Sequence, residues 1–374
     1  MADREITELR EGIDRVDDEL VALFNERMQI TKKIGDYKRE HNLAIHDAAR
    51  EQSVVDTAMS RTPEGLKSEV TLLMRSLMAL AREYQRGLLL GSDDDYLPPP
   101  SEPKRGAAKV VYQGVSGAWS AQAAQKLFPE AELEPMEYFE DVFTAVKNGK
   151  ADYGVVAIEN SQSGAIGETY DLLRKYGCYV VGRTWIGIRH CLLAKPGTKL
   201  TDIREVYSHP EGFRQCHRFL MDKPWDKIAM SNTAVAARSV SETGSNRAAA
   251  IGSRLAAQLN GLEPVAEDIM DSEGNRTSFV VIAPSPEYTD ESNLISITFA
   301  IAHRPGSLCE ALLPFVSNGL NLTRIESRPL GGEQYRFFAE LTGNILNPVV
   351  KDTLRHVAGV TEYMEVLGCY NTIE

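Results

Sequence analysis

Residues 5–40 read EITELREGIDRVDDELVALFNERMQITKKIGDYKRE, and they decide what kind of molecule the rest must build. Numbered in sevens, Ile6, Ile13, Leu20 and Ile34 share one heptad position, and Leu9, Val16, Leu23, Ile30 and Tyr37 share the other. This is a helical seam sustained over more than four heptads. No proline interrupts it, and its only glycines are Gly12 and Gly35. At ~1.5 Å per residue the helix would run roughly 54 Å, too long to hide its seam against one short neighbour. Arg27 occupies a seam slot where an aliphatic residue is expected. A guanidinium on a buried stripe is costly unless an anion meets it, so Arg27 either snorkels and pairs with a helix carboxylate or serves a ligand.

Composition bounds the chain as a whole. A chain of 374 residues with 43% hydrophobic and 25% charged side chains reads as a globular protein of two or three domains. A net charge of -12 argues against nucleic acid or an anionic membrane as main partner. Anionic ligands must therefore be held by local clusters of Arg and Lys. Cys178, Cys191, Cys216, Cys309 and Cys369 show neither a CxxC pair nor metal-like spacing, which points to free thiols in a reducing compartment and to no metal. The acidic start of the chain is not a signal peptide, and no window approaches the ~20 apolar residues of a membrane span. The expected location is the cytoplasm.

After a break at residues 40–45, Asp47 offers an N-cap for a second helix from Ala48. Pro63 and Gly65 end it, and a third helix is predicted from Leu66 to Arg86. Three helices, one far longer than the others, close no compact bundle alone; an intertwined dimer would cover the seam. Leu9-Arg10-Glu11 with Ile13, then Glu26-Arg27, Lys38, Asp47, Arg50-Glu51 and Gln85 resemble the all-helical chorismate mutases over residues 5–86. The resemblance implies that Arg10, Arg27 and Arg50 clamp the two carboxylates of chorismate, since Arg meets a carboxylate bidentately. It implies that Lys38 and Gln85 donate to the ether oxygen and that Glu51 and Asp47 meet the ring hydroxyl and orient the site. Ala81 stands where the family often has Ser, which predicts weaker substrate binding. A Claisen rearrangement is intramolecular and needs no nucleophile, acid, metal or cofactor, only a folded substrate and a stabilised transition-state dipole. Arg10 and Lys38 lie roughly 42 Å apart along one helix and cannot serve one small molecule from the same chain. Arg10 must then come from a second protomer.

Residues 91–106 are acidic and proline-rich and read as a semi-rigid linker between a domain at 1–90 and one at 107–286. Strands are predicted at 110–112, 154–158, 180–193, 206–207, 248–251 and 279–283, alternating with helical patterns, as in an α/β domain with largely parallel sheets. Their tips carry Gly114 to Ser120, Glu159 to Gly164, Ser208-His209-Pro210 and Ser231-Asn232-Thr233. Small hydroxyl and amide residues ahead of helices make pockets for oxyanions, and several in one domain predict a cleft. These tips, with His190-Cys191-Leu192-Leu193 and Asn275-Arg276-Thr277-Ser278-Phe279, resemble prephenate dehydratase over residues 107–284. The resemblance implies two α/β lobes of periplasmic-binding-protein-like type, with prephenate losing CO2 and water between them. Thr277 is implied to assist departure of the hydroxyl, with Asn160, Ser161, Thr233, Arg276 and Phe279 as substrate contacts. His209, before a proline at a strand end, is read as a turn residue. Ser278 stands where the family usually has Arg. On a strand, i and i+2 share a face, so Arg276 is the expected substitute.

Residues 293–374 follow the order strand, helix, strand, strand, helix, strand, which is ferredoxin-like α+β. Arg304-Pro305-Gly306-Ser307-Leu308 and Glu326-Ser327-Arg328-Pro329 resemble the ACT regulatory domains attached to prephenate dehydratases. The resemblance implies a site for phenylalanine as effector, formed by Gly306, Ser307 and Leu308 with Glu326, Ser327 and Arg328 at a domain interface. The whole is thus expected to be multidomain: all-α helices, a two-lobed α/β domain and an α+β domain. It would take chorismate to prephenate and on to phenylpyruvate under phenylalanine control, as a homodimer or higher oligomer. The alternatives are a mutase fused to a non-catalytic or arogenate-preferring dehydratase-like sensor, and an amino-acid-binding regulator of other proteins.

Overall fold

The computed structural model describes residues 2–89, 98–104, 108–331 and 334–373. Helices α1 (Ala2–Glu40), α2 (Ala48–Ser60) and α3 (Lys67–Leu89) come first. There follow β1 (Lys109–Gln113), α4 (Trp119–Leu127), β2 (Glu132–Met136), α5 (Phe139–Lys147), β3 (Tyr153–Asn160), β4 (Gly164–Ala165), α6 (Gly167–Tyr176) and β5 (Tyr179–Gly187). The chain continues with β6 (Cys191–Ala194), β7 (Glu205–Ser208), α7 (Pro210–Gln215), α8 (His217–Met221), β8 (Asp226–Ala229), α9 (Thr233–Thr243), β9 (Ala248–Gly252), α10 (Arg254–Leu259), β10 (Glu263–Ala266) and β11 (Arg276–Ala283). It ends with β12 (Leu294–Ile301), α11 (Ser307–Ser317), β13 (Leu322–Gly331), β14 (Gln334–Thr342), α12 (Pro348–Val360) and β15 (Tyr363–Tyr370). Two compact units form: Met1–Asp95 with Phe299–Leu320 and Pro348–Met364, and Tyr96–Thr298 with Asn321–Asn347 and Glu365–Glu374.

In the first unit α1 and α2 both pack on α3, α11 packs on α12, and α12 packs on α3. Asp47 caps α2 as expected, its carboxylate accepting from the Arg50 amide at 3.0 Å. The heptad seam of α1 stays open to water in the single chain, with Leu9, Ile13 and Leu23 each more than 60% exposed. What α1 does bury is confined to its last turns. Thr31 is 5% exposed, and Gly35 lies so close to Gln85 that a Cβ there would stand 3.1 Å from Gln85 Cγ.

The second unit holds two sheets, one per lobe. The first runs β2-β1-β3-β11-β5 with β4 on β3, and the second runs β10-β6-β9-β7-β8. Both are mixed, not largely parallel. The β1–β2, β1–β3, β7–β8 and β7–β9 pairs are parallel, whereas β11 runs against β3 and β5, and β6 runs against β9 and β10. Alternation of strands with helices does not register a strand that crosses from one lobe and returns. The single strand expected over 180–193 is in fact two. Between β5 and β6 the chain leaves one sheet for the other, its Ile188 amide bonding the Asn275 carbonyl at 2.8 Å and its His190 carbonyl accepting from Ile269 at 3.1 Å.

Each sheet is covered by its own apolar clusters. Val111, Val142, Phe143, Val156, Leu173 and Ile282 fill one face of the first lobe, and Leu192, Ile203, Val206, Leu220 and Ile251 fill one face of the second. The lobes meet tightly at Gly117, where a Cβ would stand 3.3 Å from the Ala256 Cα and where Ser253 Oγ donates to the Gly117 carbonyl at 3.3 Å. Gly117 also has φ of 87°, which a side chain would strain. Much of the linker expected at 91–106 lies outside the described residues. Residues 98–104 are docked: Ser101 N bonds the Pro286 carbonyl at 2.9 Å, and Lys104 N bonds the Tyr153 hydroxyl at 2.8 Å.

The C-terminal sheet has the order β13-β14-β12-β15, the ferredoxin-like arrangement expected from the element order. Its residues 321–347 and 365–374 belong to the second unit, where Phe338, Leu367 and Tyr370 join the apolar cluster of the first lobe. The final residues go further. Asn371 and Ile373 hydrogen-bond the backbone of Arg183 on β5, at 3.1 and 2.6 Å, so the chain's end lines the edge of the first-lobe sheet. No described helix is long and apolar enough to cross a membrane. The five cysteines are free, four of them buried, and burial pushes the Cys178 thiol up to about 11 and the Cys216 thiol up to about 12.

Candidate active sites

At the end of the first-lobe sheet, β3 and β11 pair so that Asn160 stands opposite Thr277. Asn160 Nδ2 donates to Thr277 Oγ1 at 3.0 Å, to Asn275 Oδ1 at 2.8 Å and towards the Arg276 carbonyl at 3.2 Å. Its Oδ1 accepts from the amides of Gln162 and Ser163, at 3.0 and 3.1 Å, which fixes the amide's orientation. A hydroxyl that accepts from Asn160 has its own proton left to give to a substrate oxygen. Ser161 ties the same two strands: its amide bonds the Arg276 carbonyl at 2.9 Å, and its Oγ accepts from the Arg276 amide at 3.0 Å.

Asn275 was quoted in the sequence as part of a motif but not as a site residue. It is 3% exposed, and its Nδ2 has no protein partner among the described residues. A buried donor next to Thr277 with nothing to donate to is what an oxyanionic substrate would satisfy. In the second lobe Thr233 opens α9, with Asn232 capping through Val235 N at 2.8 Å. Ser208 is fully buried beside it, and its Oγ likewise lacks a partner among the described residues.

Two histidines take structural places. His209 caps α7, its Nδ1 accepting from the Glu211 amide at 3.2 Å, which is the turn role expected of it. His190 is 2% exposed, with Nε2 set 2.9 Å from Gln215 Oε1, and burial holds its pKa below the ordinary imidazole value. Gln215 Nε2 donates to Glu211 at 2.9 Å, so its Oε1 is the acceptor and His190 Nε2 carries the proton. Two expected contacts do not face the cleft in the expected way. Phe279 is 3% exposed and packed in the core with Val110, Tyr112 and Val281. The register shift after Ser278 places its extra residue, Ile158, on β3, so β11 keeps its alternation and Phe279 follows Thr277 on the same face, deeper in the core. Arg276 does not reach Ser278; its guanidinium lies over the Trp185 ring, 4.4 Å from the centroid.

In the helical unit the expected residues each find a partner of their own or stand exposed. Arg27 is half-buried and donates to the Leu77 carbonyl of α3 at 2.9 Å, and burial lowers its pKa. The seam slot is therefore answered by a backbone carbonyl, not a helix carboxylate. Lys38 Nζ donates to the Ile45 carbonyl at 2.6 Å, and buried Gln85 donates to the Thr31 carbonyl at 3.1 Å. Ala81 lies half-buried on α3, while Asp47 and Arg50 are exposed at the start of α2. Arg10 is exposed far up α1. Glu51 is met by Arg82, which no spacing had singled out and which is 6% exposed. Arg82 also reaches Glu310 of α11 at 2.8 Å, and Glu310 is held in turn by Arg304 at 2.6 Å. This ladder of alternating charge crosses a cavity of about 500 Å³ that is lined by Glu51, Val55, Arg75, Met78, Arg82 and Pro305, among others.

The residues read as an effector site fall in both units. Gly306, with φ of 88°, and Ser307 and Leu308 open α11 in the first unit, Ser307 Oγ bonding the Arg304 carbonyl at 3.0 Å. Glu326, Ser327 and Arg328 lie on β13 in the second, where Arg328 donates to Asp171 at 2.9 Å.

Comparison with known proteins finds two family models on separate stretches of the chain. A chorismate mutase type II model matches residues 9–86, and a prephenate dehydratase model matches residues 110–287. The bifunctional chorismate mutase/prephenate dehydratase of Escherichia coli K12 is 31% identical over 373 residues, covering 97% of this chain and 95% of that protein. A chloroplastic arogenate dehydratase/prephenate dehydratase of Arabidopsis thaliana is 38% identical over 275 residues, 70% of this chain and 72% of its own length. The structure of an Arthrobacter aurescens prephenate dehydratase in complex with L-Phe superposes with a TM-score of 0.65 at 27% identity, covering 70% of this chain and 89% of that one. One relative spans both the helices that carry Arg27, Lys38, Glu51 and Gln85 and the two-lobed region in which Asn160 pairs with Thr277, so the chain belongs to the family of bifunctional chorismate mutase/prephenate dehydratases.

Proposed function

We propose that the chain converts chorismate to prephenate in its helical unit and prephenate to phenylpyruvate between its two lobes, with phenylalanine as feedback effector. The carrying observation is the hydrogen bond between Asn160 and Thr277, which leaves a buried hydroxyl oriented at the cleft end of the sheet. Aromatisation drives the second reaction, so the protein has only to polarise the departing hydroxyl and keep water from the carboxylate. Thr277 gives the hydrogen bond to the leaving oxygen, and Asn275, Ser161 and Thr233 hold the rest of prephenate. Arg276 is left for the carboxylate on the outer side. In the helices Arg27 and Arg50 clamp carboxylates, Lys38 and Gln85 stabilise the ether oxygen, and Glu51, oriented by Arg82, accepts from the ring hydroxyl.

The open seam of α1 supports a homodimer in which a second protomer's α1 covers Leu9, Ile13 and Leu23 and brings its Arg10 to the site. The β12–β15 region with α11 and α12 is read as an ACT-type module, 293–374, that binds phenylalanine through Gly306 to Leu308 and Glu326 to Arg328. A cytoplasmic location follows from the free thiols.

Product analysis tests this reading. Purified protein given chorismate is expected to release phenylpyruvate, and less of it when phenylalanine is added. Prephenate accumulating without phenylpyruvate would remove the dehydratase assignment. Phenylpyruvate formed at an unchanged rate with phenylalanine present would remove the effector.

A further inference from the structure

Thr277 and Asn160 face the cleft, and their chain neighbours Ser278 and Glu159 are paired with each other on the reverse of the same two strands. That reverse face is not apolar. Arg183 on β5 stands opposite Val280, one step along the face from Ser278, and its Nε donates to Ser278 Oγ at 2.8 Å. Its Nη1 makes a two-pronged contact with Glu340 of β14, at 2.6 and 2.8 Å, and its Nη2 lies 3.7 Å from Glu159. Arg324 of β13 pairs with the same Glu159 and donates to the Tyr170 hydroxyl at 2.5 Å. Glu340 also accepts from Thr323 at 2.7 Å and from Tyr370 at 3.2 Å. Two cations and two carboxylates thus form a neutral quartet, with the Arg183 and Glu340 side chains each only 9% exposed.

Several features show that this quartet fixes geometry and does not merely fill space. Ser278 is fully buried, so Arg183 is its only described hydrogen-bond partner and sets its position. The guanidinium is itself over-determined: it stacks on Trp185 at 4.8 Å, and its residue's backbone is bonded on both sides by Asn371 and Ile373. A planar fork held this way has little freedom, and neither has the strand it grips. We propose that Arg183 is a positioning residue for the dehydration step. It holds β11 through Ser278 so that the Thr277 hydroxyl meets Asn160 and the substrate, and Glu340 from the C-terminal sheet holds Arg183 in that pose. Arg183 supplies from a neighbouring strand the guanidinium that position 278 itself lacks, the part expected of Arg276. The dehydratase site is incomplete without Glu340 of β14 and the residues that hold it.

This inference rests on the assignment of Thr277 to the chemistry, so Thr277→Val is measured beside it. All assays use the full-length chain, with the thermal unfolding and circular dichroism of each variant beside the parent as the check on folding of the second unit, which holds Arg183 and Thr277. Arg183→Lys keeps the charge but loses the Nε donor and the fork. Its dehydratase kcat is expected to fall ~100-fold, the scale set by a misplacement of about 1 Å, with KM changed less than about threefold. Glu340→Gln is expected to lower kcat in the same direction. The decisive variant is the exchange Arg183→Ser with Ser278→Arg, which returns a guanidinium to the same buried space and is expected to recover at least tenfold over Arg183→Ser alone. An Arg183→Lys kcat within twofold of the parent, a loss confined to KM, or an exchange no better than the single change overturns the proposal. Thr277→Val with full activity would overturn the assignment of Thr277 instead, leaving the two failures distinct.

Discussion

Arg82 carries more of the mutase unit than its silent place in the sequence suggests. Its guanidinium lies between two carboxylates, Glu51 and Glu310, and removing it leaves Glu51 without this cation and Glu310 with only its pairing to Arg304. Arg82→Met is expected to destabilise the helical unit by roughly 3–5 kcal/mol at the buried limit, and towards the lower figure here because both carboxylates keep some access to water. Urea unfolding would show it as a lower midpoint, and mutase kcat is expected to fall with it because Glu51 loses its orientation. His190 supplies a second residue-scale expectation. Its native pKa lies below its ordinary value of 6.5, so as pH falls through 6.5 the unfolded chain takes up a proton that the native chain refuses. Stability therefore drops from about pH 6.5 downward until the native pKa is reached. Thermal unfolding across pH 7 to 5 should show this slope, and it should flatten in His190→Gln. Neither residue's partner was legible beforehand. Arg82 and Glu51 are 31 positions apart, and nothing in a helical repeat marks which Arg will meet which Glu across α2 and α3.

Elements were easier to read than their pairing. The seam of α1, the Asp47 cap and the stop at Pro63 are local, set by side-chain period and backbone donors, and they stand where the residues put them. Edge strands such as β2, with Pro135 in it, and the short β8 carry little apolar pattern and passed unseen. Strand direction depends on which lobe the chain has just left, and this is a long-range choice. The exposed seam makes its own test. Leu23→Asp is expected to leave monomer in analytical ultracentrifugation, to lose most mutase activity and to keep dehydratase activity. An Arg10→Ala chain mixed with a Lys38→Ala chain should regain mutase activity, to about a quarter of the parent when chains assort at random, because half the dimers then hold one intact site of two. No recovery would mean that each site is built from one chain.

At the scale of the whole molecule the two chemistries occupy separate compact units, and they should fail separately. Thr277→Val given chorismate is expected to accumulate prephenate at the parent's rate. Gln85→Ala is expected to make almost none from chorismate yet still to convert prephenate supplied to it. Both are read by separating products at fixed times. The outline of the proposed dehydratase cleft was legible in the sequence because the residues assigned to it, Asn160, Ser161, Thr233 and Thr277, sit at strand tips beside small residues. The support behind the cleft was not. Arg183, Glu340 and Arg324 come from three distant stretches that only the folded sheets bring together.

The pairing of residues 371–373 with β5 has a consequence for how the protein is made. Residues 2–89 can settle into helices early in synthesis, but the first-lobe sheet gains this neighbour only after residues 371–373 have left the ribosome. Decarboxylating activity should therefore appear in a translation reaction only after residues 371–373 have emerged, and a stop codon placed ahead of Asn371 should silence it while leaving the isomerase at work.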